Sequence, residues 1–259
     1  EIYTLGSRMF LSEAIGKGVG TLNSLGEKLP LHPSPLQANV ALWRTRKLLR
    51  RRSEESLMRL PMMTDPKKLA SMQMLNLIFL STLYARPLLT PIVVSRMVRL
   101  TVEHGMSAVS CLGFSTYGMI LCSGGANIEQ GYRYGKVGME MYNKFKAEAW
   151  FCRVSAIYHG CVRPWREPFV LSCEPLKQAY RMGLTSGDIE YALLNASIYC
   201  WNSRDSLPLY VLNKEINELV ERIKFLGQES QLLLLKPLWQ TVHNFQGKSG
   251  GNPNILSGD

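Results

Sequence analysis

The sequence predicts an all-α protein whose helices form antiparallel pairs, stacked as an α-solenoid with a period of about 41 residues. The first observation behind this prediction is a series of short breaks in the helical pattern at a nearly constant spacing. The breaks are His104–Gly105, Phe145–Lys146, Ser186–Gly187 and Leu226–Gly227, and their second residues are 41, 41 and 40 positions apart. Self-similarity at a fixed period of this length is typical of stacked helix pairs.

The second observation is that each break is followed by the same kinds of side chain. A mid-sized apolar residue stands six positions after the second residue of each break, and a large aromatic residue stands twelve positions after it: Cys111, Cys152, Leu193 and Leu233, then Tyr117, Tyr158, Tyr199 and Trp239. The first three repeats also carry a small residue at the tenth position, namely Ser115, Ala156 and Ser197. Small residues let helices approach closely, so we interpret the aromatic ladder as inter-repeat core; the alternative is a ladder that stacks on a ligand.

Apolar periodicity and capping residues place the individual helices. The expected ranges are 2–11, 12–25, 36–51, 53–60, 66–84, 92–103, 106–122, 128–145, 147–161, 169–184, 188–201, 208–226 and 230–245. Ser53 and Asp65 are expected N-caps, and Pro66 suits the first helical position. Pro175 is expected either to kink its helix or to mark where that helix begins.

The domain prediction is a single α-helical repeat domain over residues 1–246, clearest over 105–245. Residues 247–259 are rich in Gly, Ser and Asn and are expected to form a flexible linker to a following domain. Since the chain begins with Glu1 and not with Met, we expect a segment of a longer protein. No signal-peptide pattern opens the given sequence.

Composition limits the class of protein. Hydrophobic residues make up 46% and charged residues 19% of the 259 residues, which indicates a folded chain, and the net charge of +10 would suit acidic partners. Six cysteines without close-spaced pairs suggest buried thiols and a cytoplasmic location. The stretch from Met106 to Glu129 is long enough to span a bilayer, but its Ser and Gly content favours a buried inner helix.

The sequence lacks the motifs of known catalytic sites, so we expect that this segment is not an enzyme and has no metal or cofactor site. Gly247–Lys248–Ser249 matches only the end of a phosphate-binding loop and follows a helix instead of a strand. The four histidines are scattered without zinc-ligand spacing. Carboxylates such as Glu129, Glu140, Glu148, Asp188 and Glu190 stand where exposed faces and helix starts are expected.

Two surfaces are candidates for partner contact. The first, called the connector rim, combines two corresponding helix connectors and consists of Arg163, Trp165, Arg166, Trp201 and Arg204. Trp and Arg are the residue types that dominate interface hot spots, although Trp165 could instead pack inward over the repeat end.

The second, called the basic patch, consists of Arg44, Arg46, Lys47, Arg50, Arg51 and Arg52. Its position at the end of a helix suits cations, because the helix dipole is negative there. We expect Trp43 and Leu48–Leu49 to point inward. The patch is then either a solvated helix end or a surface for phosphates and acidic partners.

Four motifs in order carry a family resemblance: LGEKLP at 25–30, LPMMTDPKKLA at 60–70, RPWREP at 163–168 and GLTSGDIEYA at 183–192. Together they resemble the helical-repeat region that follows the AAA-type ATPase module in large multidomain signalling proteins, among them multi-sensor histidine kinases. The resemblance implies a tetratricopeptide-like array beside a nucleotide switch, with ATP bound in a neighbouring domain. The period of about 41 residues departs from the tetratricopeptide value of about 34.

These observations lead to a first functional hypothesis: a non-catalytic scaffold or sensor arm that contacts ATPase or kinase domains of the same chain or another protein. The alternative is a basic helical-repeat module that binds nucleic acid. Nucleic acid is the less expected partner, because a mild excess of positive charge is weak evidence for it. An enzyme with catalytic groups dispersed along the chain is the third hypothesis.

Overall fold

The computed structural model describes residues 10–123, 127–145 and 148–247, apart from the side chains of Glu148, Glu229 and Ser230. Twelve α-helices occupy these residues: α1 Leu11–Ser24, α2 Pro35–Leu49, α3 Glu54–Met58, α4 Pro66–Ala85, α5 Thr90–His104, α6 Ser110–Ser123, α7 Ile128–Phe145, α8 Glu148–Ile157, α9 Val170–Ser186, α10 Ile189–Ser203, α11 Leu209–Phe225 and α12 Glu229–Phe245. Extended pairing in this part of the chain is limited to one isolated bridge, Met62–Met106. The all-α prediction is therefore confirmed.

The predicted N-caps act as expected. The Asp65 carboxylate accepts hydrogen bonds from the backbone N–H groups of Lys67 (2.8 Å) and Lys68 (3.4 Å), and Pro66 is the first residue of α4. Ser53 caps α3 in the same way by accepting from the Ser56 N–H. These side chains satisfy backbone donors that have no partner within the helix.

Two predicted boundaries are wrong. Helix α6 begins at Ser110 and not at Met106, because the Met106 backbone pairs with Pro61 O and Met63 N instead. Helix α8 ends at Ile157, and a π-helical turn and a 3₁₀ turn continue to Trp165. Of the two alternatives for Pro175, the helix start is excluded, since Pro175 lies inside α9. The predicted first helix over 2–11 and the linker after Gly247 lie almost wholly outside the described residues.

The helices from α6 onward form two layers. Helices α6, α8, α10 and α12 contact one another in succession, and α7, α9 and α11 lie on them. Helix α6 is buried along nearly its whole length, as the sequence predicted for an inner helix. Because α9 lies on α8 and α10, and α11 lies on α10 and α12, a cleft remains between α9 and α11 with α10 at its bottom.

The closest contact between the layers depends on glycines in α6 and α7. A Cβ atom at Gly118 would lie 2.5 Å from the carbonyl oxygen of Gly131, and one at Gly138 would lie 2.1 Å from Ser115 Oγ. Ser115 is thus a small residue for the reason the sequence suggested: a larger side chain would not fit between α6 and α7.

The aromatic ladder belongs mostly to the core. Tyr117, Tyr158 and Tyr199 are buried, and Trp239 is half-buried, with its indole N–H donating to Asn217 Oδ1. Leu233 departs from the pattern: it is 56% exposed although its counterparts in the earlier repeats are buried. Among the described residues no helix follows α12 to cover it.

Two motifs of the family resemblance meet in the first half of the fold. Glu27 of LGEKLP is 2% exposed, and its two carboxylate oxygens lie 2.5 Å from Lys68 Nζ and 3.1 Å from Arg96 Nη1. Lys68 belongs to the TDPKKLA segment, so this ion pair fixes the end of α1 against α4 and α5. The motif residues therefore have a structural role here.

Candidate functional site

The connector between α8 and α9, which carries Arg163, Trp165 and Arg166, is fixed by hydrogen bonds to Glu167. Arg163 Nε donates to Glu167 Oε2 at 2.7 Å, and the Tyr132 hydroxyl donates to Glu167 Oε1. These two hydrogen bonds lower the pKa of Glu167, and the one from Tyr132 has the larger effect. Arg163 also donates to the Leu171 carbonyl at 2.8 Å, so the connector is fixed to both α7 and α9.

Several residues near Glu167 in the sequence are apolar and exposed. Trp165 is 47% exposed, and Phe169, Val170 and Leu171 are exposed as well. Arg204, from the next connector, lies over the Phe169 ring at 5.9 Å, so the two connectors meet there. Arg166 donates to Glu129 Oε2 and lies over the Tyr132 ring, and it remains exposed.

Trp201, the other aromatic residue of the connector rim, is used elsewhere in the fold. Its indole N–H donates to the Leu234 carbonyl at 3.2 Å, and its ring is half-buried among apolar residues of α10 and α12. The structure thus joins Trp165, Arg166 and Arg204 to one surface, and it turns Trp201 toward α12.

One face of α9 leads from the rim to the cleft between α9 and α11. Residues at four-residue steps lie on the same face of a helix. At these steps Phe169 contacts Arg204, Cys173 Sγ lies 3.4 Å from Ser203 Oγ, and Lys177 lies over the Tyr199 ring at 4.4 Å. Arg181, the next residue of this series, is exposed at the cleft.

The cleft itself, called the α9–α11 cleft, has a volume of about 680 Å³. Its α9 wall carries Lys177, Tyr180 and Arg181, its α10 floor carries Ala196, Tyr199 and Cys200, and its α11 wall carries Glu215, Glu218, Leu219, Glu221, Arg222 and Phe225. One wall is therefore basic and the other mainly acidic, with an aromatic and apolar floor between them. This volume lies within the usual range of ligand-binding clefts.

The charges deep in the cleft compensate one another. Lys177 Nζ lies 3.6 Å from Glu215 Oε1, and its hydrogen bond with Tyr199 is the main reason that the pKa of Lys177 is raised. Burial raises the pKa of the Cys200 thiol to about 12, and Glu215 adds to that rise. The thiol is therefore protonated at neutral pH and is a poor nucleophile.

The basic patch is on the surface, as predicted, with Arg44, Arg46, Lys47, Arg50 and Arg51 exposed and Arg52 half-buried. Arg46 Nη2 donates to Asn127 Oδ1 at 2.7 Å. Trp43 does not point inward: it is 59% exposed, and Lys47 lies over its ring at 5.4 Å. The buried face of α2 consists of Ala38, Thr45 and Leu49. Trp43 lies on a different face of the helix, because each residue is rotated by about 100° from the one before it.

Asp188 and Glu190 stand at a helix start, as predicted, with Asp188 at the N-cap and Glu190 in the first turn of α10, and both are half-buried. Asp188 pairs with Arg153 of α8, and Arg153 Nη1 also donates to Asn76 Oδ1 at 2.9 Å. Burial raises the pKa of Glu190 to about 7; the positive charge of Arg153 opposes the rise and Asp188 adds to it. This network joins α4, α8 and the start of α10. Glu129 and Glu140 are exposed, as predicted.

The sequence reasoning missed the α9–α11 cleft. A signal was present: Glu215, Glu218 and Glu221 recur at three-residue steps on α11, and Lys177 and Arg181 are four residues apart on α9. Each set alone is typical of a solvated helix face. Only the packing of both helices on α10 brings the two sets to opposite sides of one cleft.

Comparison with protein-family models, with curated proteins and with solved structures finds no match to this chain. None of the helices in the described ranges is both long and apolar enough to cross a membrane. Within the same ranges, no three His, Cys, Asp or Glu residues are grouped so that they could hold a metal ion.

Proposed function

We propose that this chain is a non-catalytic helical-repeat scaffold whose α9–α11 cleft binds a segment of another protein or of an adjoining domain. The observation that carries the proposal is the cleft of about 680 Å³ with a basic wall and an acidic wall. It continues along α9 to exposed Phe169, which is next to the connector rim with its exposed Trp165. Exposed aromatic groups next to clustered charges are typical of protein interfaces.

The chemistry of the cleft defines the partner segment. Lys177 and Arg181 favour acidic groups along one side of the segment, while Glu218 and Glu221 favour basic groups along the other. Leu219, Tyr180 and Phe225 favour apolar groups between them. An amphipathic helix with opposite charges on its two flanks meets these three requirements, since such helices bind in grooves through apolar anchors.

The repeat architecture expected from the sequence agrees with the same proposal. If helix pairs with a period of about 41 residues form a solenoid, neighbouring outer helices diverge over each inner helix and leave clefts between them. The succession of contacts from α6 through α8 and α10 to α12 fits this arrangement. Solenoids use their extended surfaces for binding proteins.

The family resemblance extends the proposal to the partner. The scaffold acts in a signalling protein, and the partner segment belongs to an adjoining ATPase or kinase domain of the same chain or to another protein. ATP binding and phosphotransfer take place in those domains. This part of the proposal rests on the four sequence motifs.

A peptide selection tests the proposal. Peptides of about 16 residues, long enough for about four helical turns, are selected from a random phage library on the immobilised chain. Their affinity is then measured for Lys177→Glu/Arg181→Glu, which reverses the basic wall. We expect at least about a tenfold loss, equivalent to about 1.4 kcal/mol. Peptides that bind this variant as tightly as the unaltered chain would contradict the proposal.

The matched control is Lys67→Glu/Lys136→Glu, which makes the same change in net charge at two exposed lysines outside the cleft. It should leave the affinity unchanged at moderate salt. An equal loss in both variants would mean that net charge, and not the cleft, determines binding.

The second candidate function is nucleic-acid binding, and the observation that favours it is exposed Trp43 beside the basic patch. Aromatic rings next to cationic side chains stack on unpaired bases. Binding of a poly-thymidine oligonucleotide should then fall steeply with salt. It should weaken in Arg50→Glu/Arg51→Glu/Arg52→Glu and also in Trp43→Ala, and unchanged binding in either variant would reject this candidate.

A further inference from the structure

A second cleft, called the inner cleft, is enclosed by α4, α6, α8, α10 and α12. Its volume is about 320 Å³, and its walls are almost entirely apolar, with Leu83 from α4, Ile157 from α8, Ile198 from α10 and Leu234 from α12. Trp201 stands at this cleft with its indole N–H already donated to the Leu234 carbonyl. The inner cleft shares no lining residue with the α9–α11 cleft: Leu194, Ser197, Ile198 and Trp201 of α10 line the inner cleft, whereas Ala196, Tyr199 and Cys200 line the α9–α11 cleft.

One polar atom in the inner cleft has no partner. Ser197 lines the cleft and is 1% exposed, and its Oγ makes no hydrogen bond within the described part of the chain. A buried hydroxyl without a partner is unfavourable, because it has lost its hydrogen bonds with water without gaining others. A ligand that provides a hydrogen-bonding group would remove this cost.

Ser115, which corresponds to Ser197 in an earlier repeat, also lacks a partner for its Oγ. Its surroundings leave no room for a ligand, because a single Cβ atom added at Gly138 would come within 2.1 Å of that oxygen. Ser197 differs because its side chain lines an open cleft. The two serines share a repeat position, and only Ser197 can meet a bound molecule.

The lining also excludes some ligands. None of the side chains that line the inner cleft belongs to Asp, Glu, Lys or Arg. A charged ligand would lose its hydration without gaining an ion pair there, which is strongly unfavourable. The volume is at the lower end of the range for ligand-binding clefts.

We propose that the inner cleft binds a small, uncharged, mainly apolar molecule, such as an alkyl-substituted ring, that carries one hydroxyl or carbonyl group hydrogen-bonded to Ser197 Oγ. The molecule touches all five helices around the cleft. Since it binds only where these helices are packed together, it stabilises the folded chain, and above its Kd the stabilisation grows with the logarithm of its concentration. This site is independent of the proposed partner segment in the α9–α11 cleft.

The test compares two probes that differ only in the hydrogen-bonding group, 4-ethylphenol and 4-ethyltoluene. Their affinities for the unaltered chain and for its Ser197→Ala variant are measured by titration with ligand-observed NMR. We expect 4-ethylphenol to bind the unaltered chain about five- to tenfold more tightly than 4-ethyltoluene, the equivalent of one hydrogen bond. In Ser197→Ala this preference should disappear while the affinity for 4-ethyltoluene stays the same.

Two outcomes would overturn the proposal: no saturable binding of 4-ethylphenol at millimolar concentration, or a preference for it that persists in Ser197→Ala. A further measurement needs no variant. Intermolecular nuclear Overhauser effects from the ethyl group of the probe should reach methyl groups of Leu83, Ile157 and Ile198. Contacts confined to residues outside this set would place the probe elsewhere and would also overturn the proposal.

Discussion

Arg153 and Asp188 form a bidentate ion pair, in which Arg153 Nε lies 2.7 Å from Asp188 Oδ2 and Arg153 Nη2 lies 3.2 Å from Asp188 Oδ1. The guanidinium also lies over the rings of Trp150 and Tyr191, at 5.4 and 4.8 Å. Asp188 follows Gly187, which adopts a left-handed conformation with φ of 79° and ends α9. The ion pair therefore fixes the turn between α9 and α10 against α8.

Removing one charge of this pair should strongly destabilise the fold. Asp188→Asn leaves the Arg153 guanidinium, whose side chain is 17% exposed, without its counter-charge. We expect a loss of about 3 kcal/mol in the free energy of unfolding, measured by urea denaturation. The control is Glu129→Gln, which removes the exposed partner of Arg166 and should cost less than about 1 kcal/mol. Similar losses in both variants would show that the Arg153 pair has no special role.

The close contact of α6 and α7 leads to a second prediction. Gly118→Ala places a methyl group 2.5 Å from the Gly131 carbonyl oxygen and 2.8 Å from the Gly135 nitrogen, and both are backbone atoms that cannot rotate away. We expect a loss of about 2–4 kcal/mol by chemical denaturation. Gly20→Ala in α1 is the control, because among the described residues no atom outside its own turn of helix lies within 4 Å of the new methyl group. It should stabilise by about 0.5–1 kcal/mol, and destabilisation by both would contradict the packing described here.

Glu190 and His159 should give the stability opposite dependences on pH. The unfolded chain loses the Glu190 proton near 4.5, but the folded chain holds it to about 7, so stability falls as pH rises between these values. His159 behaves in the reverse way. Burial lowers its pKa from 6.5 to about 4, with the charge of Arg163 adding to the effect, so stability falls as pH drops between these values.

Single variants separate the two contributions. Glu190→Gln should leave a profile in which stability rises by about 1–2 kcal/mol from pH 4 to pH 6.5, and His159→Gln should leave one that falls by a similar amount from pH 4.5 to pH 7. Thermal or urea unfolding across this pH range measures both. Variants whose profiles run parallel to that of the unaltered chain would contradict the burial of these groups.

Local signals in the sequence were sufficient for the helices and for much of the core. The capping residues Ser53 and Asp65 act as expected, because an N-cap depends only on residues within one helical turn. Boundaries set by distant contacts could not be predicted. The start of α6 depends on Met106 pairing with Pro61 and Met63, which are more than 40 residues earlier in the chain.

Burial was harder to predict than helix position. Trp43 was expected inside because it is large and apolar, but the stripe through Ala38, Thr45 and Leu49 determines which face of α2 is covered. Leu233 keeps the repeat pattern in the sequence, yet it is exposed, since burial requires a neighbouring helix and not only a repeat position.

Part of the candidate site could be predicted from the sequence, and part depends on how the helices pack. Trp165 and Arg166 could be chosen from the sequence because their residue types suit interfaces, and the structure leaves both exposed. The opposition of Lys177 and Arg181 to Glu218 and Glu221 could not be read from the sequence. It arises only when α9 and α11 lie on the same inner helix.

Hydrogen exchange with a selected peptide tests the central claim most directly. Amide exchange of the chain is measured by mass spectrometry with and without a peptide recovered from the display selection on the unaltered chain. We expect slower exchange in α9 and α11, in the segments around Lys177–Arg181 and Glu215–Phe225 that form the walls of the cleft. Protection confined to α2 and the basic patch, or protection that is the same with Lys177→Glu/Arg181→Glu, would contradict the claim that the α9–α11 cleft binds the partner.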